Sequence, residues 1–282
     1  AKPILPDSFE MENHFYQKTI NAELSSVVTN FMNLGNERIA HRYAHLHPSV
    51  DPLKLKSLLA YKPRFFNWSG ADLFNVTTSD GRRTMILIET NSCPSGQKSM
   101  PLMFDHDEYG SYRTLIENTF KPMIEENGNK VPNGQLAVIY DKNEMEASGY
   151  AATIAEVFQE KVHLVEYFDT DKDPPVQFRD GIVFVRVKNE QSEENKIEEE
   201  TWVPIRAAFR YVTQKPWNRI PLFGTKTLIL NPILACLSGG RNKLLASKAY
   251  EFLNAELQSE GLTIHTPKTI HDVEKPLVSH QA

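Results

Sequence analysis

Apolar residues between positions 15 and 46 recur at helical spacing: Phe15, Ile20, Leu24, Val27, Val28, Phe31 and Met32, then Ile39, Tyr43 and Leu46 beyond Gly35. This period predicts helix, interrupted at Gly35 and ended by Pro48. A shorter helix is expected over 53–61, stopped by Pro63. Near Phe65, Phe66 and Trp68 the period shortens towards two. A strand over 72–77, a turn at Asp80-Gly81 and a buried strand over 85–88 predict a β-hairpin. Its second strand runs directly into Glu89-Thr90-Asn91. Helix is expected again over 111–124. After a polar linker over 127–134 come an apolar strand over 136–140, an amphipathic helix over 146–160, and strands over 162–167 and 182–187. Strand, helix and strand with short connections predict a small, mostly parallel α/β layer. The charged run over 188–200 reads as a solvated loop, 203–212 as a strand, and 244–257 as a helix ending near Gly261. The expected class is therefore α/β and two-lobed. A mixed α+β lobe with the hairpin covers 1–126, a small parallel α/β lobe covers 127–230, and 231–282 adds a further helix.

Composition narrows the function classes. In 282 residues, 40% are hydrophobic and 24% charged, which is a globular balance with material for a core. The net charge of −5 gives no general electrostatic attraction to nucleic acid or to anionic lipid. No apolar run approaches the roughly 18 residues of a membrane span. Two cysteines, Cys93 and Cys236, do not make a disulfide framework, so reduced thiols and a cytoplasmic location are expected.

Two stretches carry candidate chemistry. In the first, alternation along the strand puts Glu89 and Asn91 on one face. A carboxylate and an amide oxygen side by side suit a hard cation such as Mg²⁺, which takes oxygen ligands. The other reading is a strand that ends in polar capping residues. The second stretch is Ser238-Gly239-Gly240-Arg241-Asn242-Lys243, with Lys248 further into the following helix. Glycines ahead of a helix leave backbone N–H groups able to face an anion, and Arg241, Lys243 and Lys248 add positive charge. The pattern is not a Walker loop; its other reading is a solvated helix start. Weaker groupings are His41, His45 and His47, the acidic loop from Asp105 to Glu108, and a thiol nucleophile at Cys93.

Together, Glu89-x-Asn91 and the stretch from Asn242-Lys243 through Gly261-Leu262-Thr263-Ile264 to Pro267-Lys268-Thr269 resemble the ATP-grasp superfamily of carboxylate–amine ligases. Lys248 competes with Lys243 for the nucleotide lysine. It lies 19 positions before Pro267, against 24 for Lys243. The Glu-x-Asn strand comes first in the chain, as in the circularly permuted, glutathionylspermidine-synthetase-like type, and the segment from Asn67 to Phe74 is similar to that type too. The resemblance implies a pre-ATP-grasp-like α/β lobe, followed from 231 by the start of a nucleotide-binding half. It implies Mg²⁺ on Glu89 and Asn91, ATP phosphates on Asn242, Lys243 or Lys248, and Arg210 or Arg241 on an anionic substrate. The implied activity joins a small-molecule carboxylate to an amine through an acyl phosphate. Thirteen residues follow Thr269, too few for the family's second nucleotide-binding lysine and glycine-rich flap. The alternative expectation is thus a non-catalytic fragment or binding module of that fold, and the chain by itself is expected to be inactive.

Overall fold

A computed structural model describes residues 1–24, 26–65, 67–93, 95–102, 104, 106–168, 170–188, 200–211, 224–232, 235, 243–263 and 266. The expected phosphate loop at Arg241 and Asn242 and the Pro267-to-Thr269 segment lie outside the described residues. The chain forms two compact units interleaved in sequence. One comprises Ala1–Thr29, Arg64–Trp68 and Cys93–Cys236; the other comprises Asn30–Pro63, Ser69–Ser92 and Leu237–Ala282. Each unit thus draws on more than one of the three sequence segments. No helix among the described residues is long and apolar enough to cross a membrane.

The first unit is built on a mixed sheet. Its strands are β1 (Lys2–Ile4), β4 (Gln135–Tyr140), β5 (Val162–Glu166), β6 (Val176–Arg179), β7 (Ile182–Lys188), β8 (Glu200–Tyr211) and β9 (Leu228–Leu230). They run in the order β1-β5-β4-β8-β7-β6, with β9 also on β8. β4 is parallel to both β5 and β8, and β8 is parallel to β9. The expected strand–helix–strand unit is there: α8 (Glu144–Phe158) connects β4 to β5. β4 is buried on both faces, as an inner parallel strand should be.

The sheet is mixed rather than the mostly parallel layer expected. β7 does not extend the parallel set; it lies antiparallel to β8 and to β6. Its pairing with β6 follows from the two-residue turn Asp180-Gly181, where both residues have positive φ (50° and 87°). Such a turn matches strand twist and closes a tight hairpin, and glycine is the residue that takes this conformation without strain.

Alternation splits the core in two. Leu136, Val138, Tyr140, Ala207, Phe209 and Tyr211 face α8 and its Tyr150, together with Tyr112 and Phe120. Ala137, Ile139, Val165, Val183, Val185 and Ala208 fill the opposite face. The helix expected over 111–124 is a continuous run of α6 (Ser111–Leu115), a π turn (Ile116–Phe120) and α7 (Lys121–Asn127). The long helix expected from 15 breaks into short pieces: α1 (Met11–His14), α2 (Gln17–Ile20), α3 (Ser26–Met32) and α4 (Gly35–Leu46). α1 packs against α8, where the Tyr112 ring fills the space beside Gly149; a Cβ there would stand 2.8 Å from that ring.

The second unit contains α4, α5 (Pro52–Leu59), the hairpin of β2 (Gly70–Thr77) and β3 (Arg83–Asn91), and α9 (Lys243–Leu257). Asp51 caps α5 by accepting from the Leu53 N–H at 2.8 Å. Ala40, Val50, Leu55, Leu257 and Leu262 make its small core. Lys54 and Glu260 add an ion pair at 3.2 Å.

Candidate functional site

The hairpin register decides what stands around Glu89. Counting outward from the turn, Thr77 pairs with Arg83, Val76 with Thr84, Phe74 with Ile86 and Leu73 with Leu87. Regular counting would bring Asp72 to Ile88. A register shift between Asp72 and Leu73 instead sets Asp72 opposite Glu89, Ala71 opposite Thr90 and Gly70 opposite Asn91. Cross-strand partners share a face of the sheet. Asp72, Glu89 and Asn91 are therefore three oxygen-bearing residues on one face, and Thr90 points to the other. Like charges directly opposite one another destabilise a strand pair, and a bound cation reverses that cost. This donor set fits Mg²⁺ completed by phosphate or water oxygens. Among the described residues no group of three His, Cys, Asp or Glu side chains is placed to hold a metal by itself. The histidine spacing at 41 and 45 on α4 therefore builds no metal centre.

The Thr90 face meets α9, the helix that follows the second candidate stretch. Thr90 Oγ1 lies 3.1 Å from the Tyr250 hydroxyl on α9. Residues 160 positions apart in sequence thereby join the Glu-x-Asn strand to the helix that opens at Lys243. Lys248 is exposed and bound to Glu251 at 2.7 Å. It stands two residues from Tyr250, and residues two apart on a helix face different sides. Lys248 is thus turned away from the side that meets Thr90.

Arg210 belongs to the first unit, on β8. It is 1% exposed, and its Nε donates to the Asn231 carbonyl at 2.7 Å. A guanidinium so enclosed locks the ends of β8 and β9 together. Cys93 is half-buried, with Sγ donating to the Arg210 carbonyl at 3.8 Å.

A second polar centre, missed in the sequence reading, lies in the first unit where the residues after Cys93 meet the start of α8. Lys98 Nζ binds Glu146 Oε2 at 3.0 Å, with side-chain exposures of 9% and 0%. Glu146 Oε1 accepts from the Gln97 N–H at 3.2 Å and from the Tyr150 hydroxyl at 3.1 Å. Burial, and then the Glu146 carboxylate, push the Tyr211 phenol up from its ordinary pKa. The signal was available: Glu146 sits one turn before Tyr150 in the stripe of α8 that buries Ala147, Ala151, Ile154 and Ala155. A charged residue inside an apolar stripe needs a partner.

No family model matches the chain, and no curated protein matches it.

Proposed function

We propose that this chain carries the metal-side half of an ATP-grasp-type ligase site, which joins a small-molecule carboxylate to an amine at the expense of ATP. One observation carries the reading. In the second unit, the register shift of the hairpin sets Asp72 opposite Glu89, on the face that also carries Asn91. Asp72, opposite Glu89 across the bulge, completes a donor face that suits a divalent cation.

In this reading Glu89, Asn91 and Asp72 hold Mg²⁺, which when bound supplies positive charge against the phosphates of ATP. The chain's own residues set the geometry. The hairpin keeps the three donors on one face, and the Thr90–Tyr250 contact fixes the strand end against α9. Lys243, at the start of α9, would be the nucleotide lysine and receive the phosphates; Lys248 is turned to another side of the helix and held by Glu251. Positioning and charge neutralisation are what phosphoryl transfer asks of a protein.

Calorimetric titration with ATP tests this, with and without Mg²⁺, on the chain and on Glu89→Ala. Binding that needs Mg²⁺ and weakens at least about tenfold in Glu89→Ala supports the reading. No binding at millimolar ATP, or equal affinity in the variant, overturns it.

A further inference from the structure

Beyond the ligase reading, and independent of it, we infer that Ser95 is an activated nucleophile in a second site of the first unit, one that accepts the acyl group of an ester without ATP. The Ser95 side chain is exposed, yet its Oγ sits at the focus of three buried or half-buried groups. Lys98 Nζ donates to it at 2.6 Å, Asn143 Nδ2 donates to it at 2.7 Å, and its own hydroxyl points to Glu146 Oε2 at 3.5 Å. Nucleophile, base and orienting groups within hydrogen-bond reach are the signature of an activated side chain.

The roles follow from charge. Lys98 is an ammonium held by Glu146, so it acts as a fixed positive charge on Oγ. Asn143 precedes α8 in the left-handed region (φ 57°) and makes no side-chain cap bond to the helix. A capping asparagine ordinarily stabilises a helix by accepting from its first free N–H groups. Here the amide is directed to Ser95 instead. It also holds Oγ at the N-terminus of a 15-residue helix, whose dipole favours negative charge there. Both Oγ lone pairs are thus occupied by donors, and the remaining pair is that of the O–H bond. When Glu146 takes the proton, that pair forms the Oγ–acyl carbon bond. The bond from the acyl carbon to the alcohol oxygen breaks, and the alcohol leaves with the proton from Glu146. Water then adds to the acyl carbon and gives a proton to Glu146; the acyl carbon–Oγ bond breaks, Oγ takes that proton from Glu146, and the carboxylic acid departs.

The polar partners of Glu146 fit this role. Gln97 N–H and Tyr150 OH occupy Oε1 and leave Oε2 to Lys98 and Ser95. A structural pin between the loop and the helix would need the ion pair alone. It would not need a further hydroxyl at the focus of two donors.

The test uses the full chain with neither ATP nor Mg²⁺. A fluorophosphonate probe is added and the adduct is located by peptide mass, alongside the rate of p-nitrophenyl acetate hydrolysis. The expected result is one adduct on Ser95, lost in Ser95→Ala, unchanged in Ser99→Ala, and formed about tenfold more slowly in Asn143→Ala. Circular dichroism confirms that each variant is folded. No adduct on Ser95 in the folded chain, or an adduct rate unaffected by Asn143→Ala, would overturn the inference and leave the cluster as a pin.

Discussion

Replacing Lys98 by Met tests how firmly the first unit depends on its buried ion pair. Met keeps most of the length and apolar bulk of the lysine stem and removes the ammonium. Glu146, fully buried, then loses its counter-charge at 3.0 Å and keeps only the Gln97 N–H, the Tyr150 hydroxyl and the Ser95 hydroxyl at 3.5 Å. Removing one partner of a buried pair costs about 3–5 kcal/mol, whereas an exposed pair is worth about 0–1 kcal/mol. The exposures of 9% and 0% put this pair in the first class. Glu146→Gln alone should cost a similar amount, because it strands the ammonium. The double variant should cost less than the sum by about 2–3 kcal/mol, since neither charge is left alone. The assay is native-state hydrogen exchange at Val138 and Ile139, central β4 amides that report this unit even if the two units unfold separately. Loss of less than about 1 kcal/mol of protection in Lys98→Met, or strictly additive single variants, would refute the reasoning.

Gly149→Ala should destabilise the first unit by about 1–2 kcal/mol. The new Cβ meets a Tyr112 ring tethered by its hydroxyl to the His14 carbonyl at 2.9 Å, and overpacking outweighs about 1 kcal/mol of helix propensity. A raised urea midpoint would contradict this. His163 should make the unit acid-sensitive. Burial, with Lys161 nearby, lowers its pKa to about 4, and among the described residues its Nδ1 has no partner. Protonation therefore favours the unfolded chain. Stability should fall by up to about 3 kcal/mol as pH drops from about 6.5 to 4, then level off. His163→Gln should flatten most of that slope, and His14, also lowered by burial, should leave a smaller one of the same sign. A urea midpoint independent of pH over that window would show the assignment to be mistaken. Asp72→Asn should raise the thermal midpoint of the second unit in EDTA, by relieving the like-charge pair with Glu89, and should shrink the gain on adding Mg²⁺. A variant whose Mg²⁺ response equals that of the parent would remove Asp72 from the donor face.

The parts that were legible in sequence are those where one periodicity runs uninterrupted. The unit from β4 through α8 to β5 announced itself because an apolar strand, a helical stripe and a second apolar strand follow with short connections. Glu89 and Asn91 stood out because period-two alternation needs only local regularity. The antiparallel placement of β7 was hidden in a two-residue turn, Asp180-Gly181, between runs that read as one strand and its approach. Asp72 was invisible for a stricter reason. Regular pairing from the Asp80-Gly81 turn sends it opposite Ile88, and only the bulge returns it to Glu89. Ser95, Lys98, Asn143 and Glu146 meet through tertiary packing, which no spacing within a single segment encodes.

The interleaving of the two units sets a timetable for synthesis. The first unit needs nothing beyond Cys236, whereas the β2–β3 hairpin belongs with α9, which leaves the ribosome about 150 residues later. At about 5–20 residues per second that is a wait of about 8–30 seconds. During it the Thr90 side of the hairpin has no Tyr250 to bind, and a lone two-stranded hairpin is marginal in water. The nascent chain therefore passes through a stage with one folded unit and one open strand pair. At that stage a holding chaperone, or a second nascent copy, can compete for the hairpin's unpaired edges.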